Sequence, residues 1–151
     1  MRYNNNDNDL YAYFEVINQI EPCSCIDFGP FLKLCGCVAR QVKNMEIDEG
    51  IELVAVDCFP NDNLKIYGTI YNEQISLDEV MSGDRKYELA MGIGIETSVN
   101  SSLIGPIIHW ISGHCRYFFT DMNLVQMNHI DFRVKNIQID NKKYYIYFME
   151  G

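Results

Sequence analysis

Apolar and polar positions alternate along this chain in two rhythms, one helical and one extended. Leu10, Tyr13, Phe14, Ile17 and Ile20 recur at helical spacing. Asp9 stands where a cap belongs, so a helix is expected over 10–20, with a polar, flexible lead at 1–9. Glu21 and Pro22 end it. Ser24 to Phe28 is short and apolar and stops at Gly29-Pro30, the mark of a buried strand before a turn. Phe31, Leu34, Cys35, Val38, Ala39 and Val42 then form the clearest helical stripe of the chain. Ile51 to Val56 is nearly all apolar and ends at Asp57, as expected of a strand buried on both faces.

Leu64 to Tyr71 has the composition of a further strand. Ser76 with Glu79 makes a capping box for a short helix, broken at Ser82-Gly83-Asp84. Tyr87 to Ile95 is another buried strand, in which Gly92 and Gly94 permit close backbone approach. A helix is expected from Ser101 to Ser112, with Gly113 past its end. Cys115 to Thr120 is a strand ending at Asp121. Ile130, Phe132 and Val134 alternate with charged residues, then Asp140-Asn141-Lys142 makes a turn. Tyr144 to Met149 is almost wholly apolar. A hairpin whose second arm is the more buried one has an outer arm and an inserted arm.

This order predicts a single three-layer α/β domain over 1–151, mostly parallel, closed by an antiparallel hairpin. The link from Asp57 to Leu64, residues 58–63, is shorter than the dozen or so residues of a parallel crossover. The crossover helix after the second strand is therefore expected to be missing. Leu64 to Tyr71 would then pair antiparallel or run as an edge segment.

Charge narrows the function classes. Twelve basic residues stand against 21 acidic ones, a net charge of -9. That balance weighs against nucleic acid as the main partner and against an anionic membrane surface. No apolar stretch is long enough to cross a bilayer, and the opening MRYNNNDNDL has no apolar core, so a cytoplasmic setting is expected.

Six cysteines in a chain of this size do not suggest a disulfide framework. Cys35 and Cys37, two apart on a helix, point about 200° away from each other and do not share an ion easily. Reduced, packed thiols are the main expectation. Cys23 and Cys25, ahead of a strand, leave a redox or metal role open. His109, His114 and His129 have no metal partner at a convincing spacing.

Three segments resemble the class I S-adenosylmethionine-dependent methyltransferases. Cys25-Ile26-Asp27-Phe28-Gly29-Pro30 with its amphipathic helix is similar to the first motif of that family, an acid followed by glycine. Leu53-Val54-Ala55-Val56-Asp57 resembles the second strand with its terminal acid. Tyr87 to Thr97 looks like the fourth strand and the acid just after it. The closing hairpin matches too.

The resemblance implies a three-layer Rossmann-like sheet and S-adenosylmethionine as cofactor. It implies that Asp27 and Gly29 border the methionine moiety, that Asp57 takes the ribose hydroxyls, and that Glu96 lines the mouth of the pocket. Phe59 would cover the adenine. The chain departs from the pattern at Phe31 and Lys33, where the family has small residues. Two functions follow. One is a small methyltransferase-like protein whose acceptor is a small molecule or a protein. The other is an inactive scaffold of the same fold, working as a protein-interaction module or homo-oligomer.

Overall fold

A computed structural model describes residues 4–28, 52–57, 73–95, 99–124 and 132–149. Helix α1 spans Asn4–Ile20 and leads into β1, Ser24–Asp27. Strands β2, Glu52–Asp57, and β3, Glu73–Ser76, follow. Helix α2, Leu77–Ser82, begins at once after β3. Strand β4 spans Tyr87–Gly92, helix α3 Ser101–His114 and β5 Cys115–Thr120. The hairpin is β6, Arg133–Ile139, and β7, Lys142–Phe148.

The seven strands form one sheet in the order β3-β2-β1-β4-β5-β7-β6. The first five are mutually parallel, and β7 enters antiparallel between β5 and β6. This is the mostly parallel α/β sheet with an inserted last strand that the apolar pattern predicts. Burial explains it: β7 carries Tyr144, Ile146 and Tyr147 at full burial, whereas β6 is mainly exposed. A strand with apolar residues on both faces belongs inside the sheet.

Each face of the sheet has its own core. On one side Cys25, Leu89, Met91 and Phe119 meet Ala12, Tyr13, Val16 and Ile17 of α1. On the other, Ile26, Val54, Val56 and Phe118 meet Val80 of α2 and Ile107, Trp110 and Ile111 of α3. Three layers result. Trp110 stacks on His114 at 4.3 Å and meets Phe28 edge-on at 6.0 Å, joining α3 to the end of β1.

Several expectations are corrected. Helix α1 starts at Asn4, so Asp9 lies within it and not at its cap. No glycine or proline interrupts the polar lead, and the helix simply continues through it. The strand beside β2 is Glu73–Ser76, and it runs parallel. The expected strand Leu64 to Tyr71 lies outside the described residues. The crossover to β3 therefore covers residues 58–72, long enough for a parallel connection, so the argument from a short link for a missing helix falls away. Those residues and the stripe from Phe31 to Val42 are outside the described residues.

Strand β4 ends at Gly92 and not at Ile95, because the chain turns and Ile95 folds back beneath Gly92. Helix α3 carries Pro106 within it and runs through Gly113 to His114. Gly113 faces open space, and the helix ends only where Cys115 turns extended into β5. Val134 is 40% exposed, so the alternation of the first hairpin arm does not bury it.

Candidate functional site

The strand order reverses between β1 and β4. From β1 the sheet grows outward through β2 and β3, then resumes on the other side of β1 with β4 and β5. Helices on such a sheet leave a crevice at the carboxyl ends of the strands where the direction reverses. Asp27 ends β1 at that point, in register with Met91 of β4 and Ala55 of β2. It is 1% exposed. A carboxylate so deep must be compensated by neighbours. Its charge reaches Cys25 and Tyr13. Burial, and then Asp27, push the Cys25 thiol well above its ordinary range. Burial chiefly, with smaller contributions from Cys25 and Asp27, raises the Tyr13 phenol.

Asp57 closes β2 at the same edge, in register with Ser76 of β3. Because Asp27 pairs with Ala55, Asp57 extends two residues further, roughly 7 Å along the strand direction. The two acids thus stand on neighbouring strands in a stagger. Ser76 caps α2 there: its hydroxyl accepts from the Glu79 N–H at 3.2 Å and lies 3.4 Å from the Glu79 carboxylate. The Ser76 half of the expected capping box is present, while the Glu79 carboxylate turns to the Ser76 hydroxyl and not to its N–H. Of the other expected site residues, Gly29, Phe59 and Glu96 lie outside the described residues, as do Phe31 and Lys33.

The ends of β4 and β5 are tied by side chains that no local motif announces. Thr120 donates to the Gly92 carbonyl at 2.6 Å and accepts from the Met122 N–H at 3.2 Å. The Tyr147 hydroxyl accepts from the Leu124 N–H at 2.9 Å and donates to the Met122 carbonyl at 3.0 Å. Asp121 accepts from the Gly94 N–H at 3.2 Å and lies 3.4 Å from Lys142. Phe28 donates its N–H to the Met91 carbonyl at 2.8 Å, extending the β1–β4 contact past the strand.

The opposite edge of the sheet holds an open cavity of about 420 Å³, lined by Ser24, Lys86, Glu88, His114 and Arg116 among others. Glu88 is engaged there: it accepts from the Cys23 N–H and lies 3.8 Å from Arg116. The C-terminus of α3, which carries partial negative charge, opens onto the same space as Lys86 and Arg116. The local charges oppose one another.

Among the described residues no group of three or more His, Cys, Asp or Glu side chains is placed to hold a metal ion. Cys23 is exposed, and Cys25 and Cys115 are buried free thiols. Burial pushes Cys115 up to about 12. His114 contacts the Trp110 carbonyl through Nδ1 at 2.7 Å, a packing role. No described helix is long and apolar enough to cross a membrane.

No family model matches the sequence, and no curated protein matches it by sequence. Solved structures do match the fold. The methyltransferase domain of bacterial CtHen1-CN superposes with a TM-score of 0.61 at 12% identity, covering 95% of this chain and 98% of that one. The 16S rRNA methylase ArmA gives 0.58 at 17% identity, over 97% of this chain and 83% of its own. This chain has the class I methyltransferase fold. A third neighbour, the putative methyltransferase yhhF from Escherichia coli, gives 0.57 at 8% identity, over 94% of this chain and 84% of that one. The methyltransferase fold extends across the whole sheet, including the inserted strand β7.

Proposed function

We propose that this protein binds S-adenosylmethionine at the carboxyl edge of its sheet and transfers the methyl group to a small-molecule or protein acceptor. The observation that carries the reading is Asp27, a buried acid at the end of β1 where the strand order reverses. The stagger of Asp27 and Asp57 suits an elongated polar ligand lying across β1 and β2. Asp57 would accept hydrogen bonds from the ribose hydroxyls. Asp27 and Gly29 would border the methionine part, Phe59 the adenine and Glu96 the acceptor side.

The cofactor supplies an activated methyl on a sulfonium. The protein's part is alignment: held at attacking distance, an acceptor gains most of its rate from the lost freedom. The acidic balance of the chain favours an acceptor that is not nucleic acid, although the fold neighbour ArmA is a 16S rRNA methylase.

Thermal unfolding with S-adenosylhomocysteine tests the reading. Ligand at 100 times its dissociation constant adds about 2.7 kcal/mol, or about 5–10 °C for a chain of this size. A flat melting temperature at millimolar ligand would sink it. It would favour the second reading, a scaffold of the same fold, which Phe31 and Lys33 support as large residues at sequence positions where the family has small ones.

A further inference from the structure

We propose that Asp121 is a positioning residue that sets the conformation of residues 93–95 after β4, and through them the carboxyl edge of the sheet where the cofactor would lie. The inference rests on the methyltransferase reading for its functional half only. Residues 93–95 leave the end of β4 beside the end of β1. They turn sharply: Gly94 has φ 77, a conformation that L side chains rarely adopt. A segment bent this way needs something to hold it.

Asp121 does so from the neighbouring strand end. One carboxylate oxygen accepts from the Gly94 N–H at 3.2 Å, and the other faces Lys142 at 3.4 Å. Lys142 opens β7 just after the hairpin turn, where Asp140 takes φ 53. The aspartate side chain is 18% exposed and the lysine 32%, so solvent weakens their attraction only in part. The bend after β4 is thereby coupled to the end of β5 and to the hairpin. Thr120 adds a second tie by donating to the Gly92 carbonyl. Beneath the bend, Ile95 occupies the space a side chain at position 92 would need. The segment is held from below by packing and from the side by Asp121.

Three full-length variants test this by two readouts, hydrogen exchange of the Gly94 amide and calorimetric affinity for S-adenosylhomocysteine. Asp121→Ala removes both acceptor and charge. Asp121→Asn keeps an acceptor for Gly94. Lys142→Met keeps the acceptor but frees its anchor. For Asp121→Ala the Gly94 amide is expected to exchange about tenfold faster and the affinity to fall about tenfold, the scale of one hydrogen bond. The melting temperature should stay close to that of the parent. Asp121→Asn should recover most of both effects, and Lys142→Met should fall between.

Unchanged Gly94 exchange in Asp121→Ala overturns the proposal. So does faster exchange with unchanged affinity. Loss of affinity only in proportion to a fallen melting temperature, with no recovery in Asp121→Asn, also overturns it, because that is the mark of a merely structural tie. If Asp121→Ala does not fold, Lys142→Met decides by the same criteria. If the parent protein binds no S-adenosylhomocysteine, the methyltransferase reading fails. The positioning role then stands or falls on Gly94 exchange alone.

Discussion

Tyr147 shows how one side chain can serve the core and the site edge together. Its ring is 1% exposed and packs near Phe118 and Phe132, while its hydroxyl joins the Met122 carbonyl to the Leu124 N–H. Tyr147→Phe keeps the ring and strands both backbone groups. A cost of about 1–3 kcal/mol is expected in urea unfolding, and a change within error would contradict the bridge. Gly92 is a second sensitive position. A Cβ there would lie 2.1 Å from the Ile95 Cδ1 and 3.2 Å from the Phe118 ring. Gly92→Ala should therefore cost about 1–3 kcal/mol by overpacking. Unchanged stability would mean that Ile95 moves freely, which its burial does not suggest.

The buried thiols add a pH dependence. Cys115 moves from 9.0 to about 12 on burial, and Cys25 moves up further. Both are neutral in either state below about pH 9, so their contribution is complete there. As pH rises from 9 toward 12 the unfolded thiol ionises and the folded one does not, and stability falls. Each thiol contributes up to about 1.4 kcal/mol per pH unit in that window. Urea midpoints at pH 8 and pH 10 should fall less steeply in a Cys25→Ala, Cys115→Ala double variant than in the parent. Parallel slopes would count against this burial.

Among the described helices, α3 supplies most of the buried residues on its face of the sheet. Trp110 is 5% exposed, meets Phe28 and His114, and places its indole N–H 3.4 Å from the Gly83 carbonyl. Trp110→Ala should cost about 3–5 kcal/mol by the cavity it leaves. A loss below 1 kcal/mol, read from circular dichroism melts, would mean that α3 packs on the sheet without it. Elements like α3 were legible because burial writes itself into periodicity. Cys115–Thr120 and the inserted arm β7 stand out as apolar runs. Strand β3 was not legible. Glu73-Gln74-Ile75-Ser76 carries a single apolar residue, so pairing with β2 and not composition makes it a strand. Gly113 misled for the converse reason: it has the residue type of a helix stop but is the last residue but one of α3, which runs on to His114.

At the scale of the whole molecule, the sheet collects residues from distant parts of the sequence at one edge. Asp27 and Asp57 were legible there because an acid directly after an apolar run has few reasons to exist other than a turn or a ligand. Thr120, Asp121 and Tyr147 were not. Their partners Gly92, Gly94, Met122 and Leu124 lie mostly on other strands or loops, and no spacing along one element relates them. The fold places a reversal of strand order beside Asp27 and a cavity of opposed charges at the far edge. Those two edges make competing claims that one experiment separates. Amide chemical shifts should be followed while S-adenosylhomocysteine is titrated into the ¹⁵N-labelled protein. Saturable changes are expected at Asp27, Phe28, Asp57 and Gly92 to Gly94, along the carboxyl ends of β1, β2 and β4. No change at millimolar ligand, or changes confined to Ser24, Glu88, His114 and Arg116, would contradict that expectation.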